Sequence, residues 1–287
     1  MNGAIIIGGG PAGVTAAMYT ARAGVPTTLI YKNLGALEKA HVDNFYGFAK
    51  PISGKALVER GLRQARKFGV KVVRGEVVSV SEEAGVFSVK TADGVFHASA
   101  VLLATGASRR TPKIARLAEL EGRGVSYCAV CDAFFYRGKN VAVLGSGAYA
   151  LQEAEDLLSV AGSVTLLTNG EVPSVSFPQA VTIRTEKLQE VVGENTVQGV
   201  LLENGEAVAL SGLFIAMGIA GGTELARKMG VALDPQGAVV VDSQMRTSQE
   251  GLWAAGDCTG GMKQIVKAAY QGAEAGLGMV EFIKVKR

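Results

Sequence analysis

The sequence predicts an α/β protein of two similar domains, and three observations predict it. A short apolar run, Ala4 to Ile7, meets the glycine turn Gly8-Gly9-Gly10-Pro11-Ala12-Gly13 and then a helical stretch, Val14 to Ala23. The same arrangement returns as Val141 to Leu144, Gly145-Ser146-Gly147-Ala148-Tyr149-Ala150 and Leu151 to Val160. The two copies also share one register. The interval from Gly8 to Gly145 recurs from Gly10 to Gly147, and from Thr27, which opens the next strand, to Val164. Strand, glycine turn and helix in that order begin a βαβ unit, and a repeat in register makes two such units a stronger reading than unrelated glycine turns.

Each element has its own reason. Gly8 permits the tight turn, Gly10 lets backbone amides approach an anion at the helix N-terminus, and Gly13 lets helix and strand pack closely. Pro11 and Ala12 stand between them. Thr27 to Tyr31 is the second strand, with Tyr31 and Lys32 where an acid commonly holds a ribose. The fold class is therefore two Rossmann-like, three-layer dinucleotide-binding domains, with Gly145, Gly147 and Ala150 offering a second nucleotide site. Between the copies, Val70 to Val80, Val86 to Thr91 and Val95 to His97 read as strands joined at Glu83-Ala84-Gly85 and Asp93-Gly94. They lead to Val101 to Ala104 and the small-residue loop Ala104-Thr105-Gly106, where backbone can lie against a cofactor. Near the C-terminus, Leu252 to Ala255 runs into Gly256-Asp257-Cys258 and a helix from about Gln264 and Ile265. The Asp257 carboxylate can accept a hydrogen bond from a sugar hydroxyl.

Chemistry concentrates in Tyr127-Cys128-Ala129-Val130-Cys131-Asp132-Ala133-Phe134-Phe135. Two thiols at this spacing can close a small ring, and the adjacent carboxylate can move the proton that exchange requires, so the run reads as a redox disulfide. Half of a zinc site would need two more soft ligands, and only Cys258, His41 and His97 remain, in dissimilar surroundings, so no metal is expected. Two merely buried thiols are the other alternative.

Composition limits what such a pair can serve. The chain has 287 residues, 48% of them hydrophobic and 19% charged, enough for a large core in two domains. A net charge of +3 without a dense basic tract argues against nucleic acid. Three cysteines in this length fit a reducing compartment. Met1 to Val14 has no basic n-region, and its apolar run is broken by glycines, so neither a signal peptide nor a membrane span is expected and a cytoplasmic protein is.

Together these residues resemble the low-molecular-weight thioredoxin reductase family of FAD disulfide oxidoreductases. The motifs that carry the resemblance are Gly8 to Gly13, Asp43-Asn44-Phe45-Tyr46-Gly47-Phe48, Ala104-Thr105-Gly106, the run from Cys128 to Tyr136, Gly145 to Ala150 and Ala255-Gly256-Asp257. The resemblance implies a discontinuous FAD domain, residues 1–114 and 244–287, with an inserted pyridine-nucleotide-type domain, 115–243, carrying the cysteines. The crossings would fall near Pro112 to Leu117 and Asp242 to Thr247. FAD would contact Gly8, Gly10, Pro11, Ala12, Gly13, Asn44, Ala104, Thr105, Gly106, Gly256, Asp257, Gln264 and Ile265. Cys131 would face the flavin, Cys128 would attack the partner's disulfide, and Asp132 would handle the proton. Phe134 and Phe135 would meet thioredoxin, the alternative being plain core or interdomain packing. A homodimer is also implied.

One departure bears on the electron donor. Family members that use NADPH carry His-Arg-Arg-x-x-x-Arg after the second strand of the nucleotide domain, where this chain has Thr168-Asn169-Gly170 and Ser174, and no basic residue occurs from Thr168 to Ala180. Losing two charge-assisted hydrogen bonds, each about 1.5–3 kcal/mol, weakens NADPH by roughly a hundredfold or more. Pyridine nucleotide is thus a doubtful donor. Neutral Thr168 and Asn169 do not select NADH either, although Asn169 can still donate a hydrogen bond. Parts of the chain, Leu37 to Gly47 and Gly256 to Gly260, are similar to a branch that takes electrons from ferredoxin. Arg60, Arg63, Arg66 and Lys67, with Arg109, Arg110, Lys113 and Arg116, would steer such an acidic partner, or else form solvated faces. Cys258 reads as a small buried hydrophobe. The expected activity is electron transfer through FAD and the cysteine pair to thioredoxin, with ferredoxin favoured as donor. The alternatives are an NAD(P)H-dependent reductase of thioredoxin or another disulfide carrier, and a non-catalytic flavin and dithiol sensor.

Overall fold

The computed structural model describes residues 3–106, 112–217 and 221–286, the side chains of Lys39 and Cys131 excepted. The chain divides into two units, Met1–Ser108 with Gly221–Arg287, and Arg109–Ala220. The first unit begins with β1 (Ala4–Ile7), α1 (Pro11–Arg22), β2 (Thr27–Tyr31), β3 (His41–Val42), β4 (Ile52–Ser53), α2 (Gly54–Lys67) and β5 (Lys71–Arg74). It continues with β6 (Val77–Glu83), β7 (Val86–Thr91), β8 (Gly94–Ala98) and β9 (Ala100–Leu103). The second unit holds β10 (Val125–Ser126), α3 (Ala129–Asp132), β11 (Asn140–Leu144), α4 (Ala148–Leu158), β12 (Ser163–Leu167) and β13 (Val181–Arg184). It closes with β14 (Leu188–Val192), β15 (Gly199–Leu202), β16 (Ala207–Ala209) and β17 (Gly212–Ile215). The chain then returns to the first unit as α5 (Gly222–Lys228), β18 (Leu252–Ala254) and α6 (Ile265–Val285).

The repeat read in the sequence is a repeat of topology. The first unit's parallel sheet has the order β18-β9-β1-β2-β5, and the second unit's has the order β10-β17-β11-β12-β13. In each, the strand before the glycine turn lies at the centre, β1 between β2 and β9 and β11 between β12 and β17. The strand order reverses there, which leaves a crevice beyond the carboxyl ends of the strands. All four residues of β1 and of β9 are buried, as a parallel strand covered on both faces requires. Each unit adds a three-stranded antiparallel sheet, β6-β7-β8 in the first and β14-β15-β16 in the second.

On one face of the first sheet, Ile6, Leu29 and Leu102 join Ala16, Leu62 and Met279 of α1, α2 and α6 in a single core. Small residues let α1 and α6 come close. A Cβ on Gly272 would lie 2.2 Å from the Ala12 carbonyl oxygen, and one on Gly276 would lie 3.0 Å from that of Ala16. Ala12 and Ala16, like Gly272 and Gly276, are one helical turn apart, so two backbones meet along a seam with no side chain between them. Among the described residues no helix is long and apolar enough to cross a membrane.

Two sequence expectations need correction. Val70 to Val80 is not one strand: it breaks at Gly75 and Glu76, so that β5 joins the parallel sheet and β6 the antiparallel one. The return crossing expected near Asp242 to Thr247 falls instead at Ala220 and Gly221, and residues 221–243 pack with the first unit. The reason is local: a Cβ on Gly222 would lie 2.7 Å from the Thr105 hydroxyl and 3.1 Å from Cys258 Cβ, and the Val239 amide donates to the Cys258 carbonyl at 2.8 Å. The turn at 242–247 is real, with Asp242 accepting from the amides of Gln244 and Arg246 and Met245 at φ +60°, but it folds within the unit. Gly272→Val should force the α1–α6 seam apart and cost at least ~2 kcal/mol in a urea unfolding titration followed by circular dichroism.

Candidate active site

The first glycine turn is shaped by contacts that exclude side chains. Gly8 has φ +122°, and a Cβ there would lie 2.1 Å from the Ala104 carbonyl oxygen, while one on Gly13 would lie 2.0 Å from that of Gly8. Gly10 is different: a Cβ there would meet nothing within 4 Å. It is the N-cap of α1, at φ −76°, with Pro11 at the first helical position. No acidic side chain lies in the first turn and no side chain caps the helix, so its positive end is left without a side-chain partner from α1 itself. Beside this loop the Thr105 hydroxyl oxygen is buried without a hydrogen-bond partner among the described residues. Lys32, at the position where a ribose acid is common, pairs with the buried Glu76, so a carboxylate does reach the end of β2 from the break between β5 and β6.

The C-terminal segment completes this side. Asn44 Nδ2 donates to Gln264 Oε1 at 3.2 Å, joining two predicted residues far apart in sequence, and Gln264 is the N-cap of α6. Gly256, at φ +86°, and Asp257 lie in a loop held by two α6 side chains. Lys267 Nζ donates to the carbonyls of Gly256, at 2.9 Å, and Gly260, and Gln271 Oε1 accepts from the Gly256 amide at 2.9 Å. Partial burial draws the Lys267 ammonium below the usual lysine range, against the pull of the Asp257 carboxylate. Sequence reasoning missed Lys267 and Gln271; their spacing from Gln264, three and seven residues on, marks one polar face of α6. Cys258 is buried, its Sγ against the carbonyls of Leu103 and Ala255, and burial pushes its thiol up to about 12. It is a neutral, inert group, as the sequence reading expects.

In the second unit the cysteine segment is held by acids and hydroxyls. Cys128 is buried and precedes the single-turn helix α3. Ser126 Oγ accepts from the Cys128 amide at 3.1 Å and donates to Asp132 Oδ2 at 2.6 Å. Glu153, 1% exposed on α4, accepts from the Ala129 amide at 2.7 Å. A hydrogen bond to a charged group contributes about 1.5–3 kcal/mol, so these contacts fix the first turn of α3. Tyr149 donates from its hydroxyl to the Tyr127 carbonyl at 3.1 Å. Burial first, and then the Asp132 carboxylate, raise the Tyr136 phenol above its ordinary range. Ser126 and Glu153 were not singled out in the sequence; the signal for Glu153 is an acid among the buried Ala150, Ala154 and Leu157 of α4. The side chain of Cys131 lies outside the described residues. Phe134 and Phe135 are not core residues: they are 73% and 68% exposed beside Val130 at 63%, ring against ring at 6.2 Å.

The second glycine turn keeps its shape and is covered. A Cβ on Gly145 would lie 2.4 Å from the Ala216 carbonyl oxygen and 2.8 Å from the Ala150 Cβ. Every residue from 141 to 150 is buried. The Ser146 hydroxyl donates to the Glu171 carboxylate, and its carbonyl accepts from the Ser174 amide at 2.8 Å and hydroxyl at 3.2 Å. Asn169, at φ +52°, turns its side-chain carbonyl to the Leu188 amide at 2.8 Å. Among the described residues no group of three His, Cys, Asp or Glu side chains is placed to hold a metal ion.

Two dinucleotide folds, one with an open glycine loop and one carrying a cysteine segment, define a flavin-linked disulfide oxidoreductase. Residues 3–272 match the family described as pyridine nucleotide-disulphide oxidoreductase, and the chain belongs to it. It is 36% identical over 309 aligned residues to the thioredoxin reductase of Aquifex aeolicus, covering 99% of this chain and 94% of that one. The atypical thioredoxin reductase TRi of Desulfovibrio vulgaris Hildenborough is 38% identical, with a TM-score of 0.93 over 100% of this chain and 99% of its own. A ferredoxin-flavin thioredoxin reductase of Clostridium acetobutylicum is 28% identical, with a TM-score of 0.73 over 99% and 98%. The chain is therefore an oxidoreductase of the thioredoxin reductase type, acting on a sulfur group, and its cofactor is FAD. The open Gly10, the α1 N-terminus and the buried Thr105 hydroxyl fit that cofactor. Gly10→Ala, unstrained at its φ, should fold normally by circular dichroism yet purify depleted of flavin, with FAD affinity at least about tenfold weaker. In a Cys128→Ser/Cys131→Ser variant, Cys258 should not react with Ellman's reagent at pH 8 until guanidinium unfolds the chain.

Proposed function

We propose that electrons leave FAD through a Cys128–Cys131 disulfide to thioredoxin, and that the donor to FAD is ferredoxin and not NADPH. FAD, when bound, supplies a carrier that accepts single electrons and gives them on as a pair. Gly8, Gly10, Pro11, Ala12 and Gly13 would hold its diphosphate, with Asn44, Ala104, Thr105, Gly106, Gly256, Asp257, Gln264 and Ile265 around the remainder. The observation that carries the disulfide reading is the Ser126–Asp132 contact at the end of a cysteine turn anchored by Glu153. Two electrons and two protons convert the disulfide to a dithiol. The Cys128 thiolate then attacks the thioredoxin disulfide, one sulfur of which leaves as thiolate, and Cys131 attacks the mixed disulfide to release reduced thioredoxin. Asp132 takes and returns the proton, its carboxylate oriented by the Ser126 hydroxyl.

The exposed Val130, Phe134 and Phe135 support docking of a protein partner beside Cys128. The donor reading rests on the sequence 168–180, without a basic side chain, and on α2, whose Arg60, Arg63, Arg66 and Lys67 are exposed opposite the buried Val58, Leu62 and Ala65. Such a face attracts an acidic protein. Of the second basic group, Arg109 and Arg110 lie outside the described residues and Arg116 is paired with Glu119. A homodimer is supported by the apolar Val266, Tyr270 and Leu277 exposed along α6, and a cytoplasmic location by the cysteine usage.

Anaerobic absorbance of the holoprotein tests both parts. Reduced ferredoxin should bleach the flavin band, millimolar NADPH or NADH should not, and oxidised thioredoxin should restore it over repeated cycles. Cys128→Ser should leave bleaching intact and abolish the return of colour on adding thioredoxin. Bleaching by micromolar NADPH would sink the donor assignment, and a single reduction without turnover would mark a sensor.

A further inference from the structure

We infer that the Glu171 carboxylate, exposed but held on the second glycine turn, closes that loop against pyridine nucleotides. The inference rests on the reading that NADPH is not the donor, and it assigns that exclusion to a particular side chain. Both units present the same strand, turn and helix, but the two turns stand in different surroundings. At the first, Gly8, Gly10 and Pro11 are partly exposed, and space opens at Gly10. At the second, Gly145, Ser146 and Gly147 are all buried.

The segment after β12, where a nucleotide-binding domain holds the ribose, is tied to this turn by hydrogen bonds. Glu171 turns its carboxylate onto the Ser146 hydroxyl, in the middle of the glycine turn. Ser174 secures the same residue from the other side, its amide and hydroxyl both donating to the Ser146 carbonyl. Helix α4 has eleven residues, with no capping side chain and no acid in its first turn. The Glu171 carboxylate is held on Ser146, the residue before the α4 N-cap Gly147, in the region a dinucleotide diphosphate would use. A diphosphate would displace the Ser146 contact and approach a like charge at once. The residues of the second site do not fit the nucleotide.

A rival role has the same residue in the opposite sense. An acid after this strand commonly accepts a hydrogen bond from the ribose of NADH. In this structure the Glu171 carboxylate is spent on the turn itself, which separates the two roles by experiment.

Isothermal titration of the holoprotein with NADPH and with NADH, at low ionic strength, reads the difference. Glu171→Gln keeps the shape and removes the charge, and it should tighten both nucleotides about tenfold or more over wild type. Glu171→Arg should add a preference for NADPH over NADH. Unchanged affinity in Glu171→Gln and in Glu171→Ala would overturn the inference, as would weaker NADH binding in Glu171→Gln, which would make Glu171 a ribose acceptor. Wild-type flavin bleached by micromolar NADPH would instead overturn the donor reading, so the two failures are distinguishable.

Discussion

The close approach of backbone to backbone at glycine is the constraint on which the FAD-type unit depends. At Gly8, Gly13 and Gly272, a side chain would begin within about 2 Å of a carbonyl oxygen, on Ala104, Gly8 and Ala12 respectively. These contacts fasten the turn after β1 to the end of β9, α1 to that turn, and α6 to α1. Because α6 is fixed in this way, its N-cap Gln264 reaches Asn44, and its side chains Lys267 and Gln271 can hold the loop from Gly256 to Gly260. A loop with few side chains of its own thus gains its shape from helix packing behind it.

The second unit sets the same architecture in different surroundings. In α4, which in a nucleotide-binding domain would serve the diphosphate, Tyr149 and Glu153 both turn to the cysteine segment, one to the Tyr127 carbonyl and the other to the Ala129 amide. The turn before it is engaged by Glu171 and Ser174. A duplicated fold can keep its sheet while its surroundings differ, because the strand order and the glycine contacts are set by the backbone, whereas a ligand is chosen by the few side chains at the strand ends.

The cysteine segment itself combines a buried, well-anchored start with an exposed apolar rim. Glu153 and Ser126 hold the first turn of α3, while Val130, Phe134 and Phe135 remain open. Disulfide exchange needs both properties: a sulfur kept in fixed geometry, and a surface on which a protein partner can desolvate and orient.

The sequence by itself determined the two dinucleotide folds, their shared register and the loops of small residues, because those depend on local pattern: a short apolar run, glycine where a side chain cannot fit, and helical periodicity after it. It also marked Cys258 as a buried thiol. It could not place residues 221–243, since the turn-like composition of 242–247 is the same for a linker and for a turn inside a domain; only the packing of Gly222 against Thr105 and Cys258 decided between them. Ser126, Glu153, Lys267 and Gln271 had no role assigned from sequence, since their partners Asp132, Ala129 and Gly256 are fixed only by the fold. For Glu171 the sequence showed only missing arginines nearby. That a carboxylate stands on the glycine turn is a long-range contact between Ser146 and the end of the next strand, and such contacts exist only once the sheet has formed.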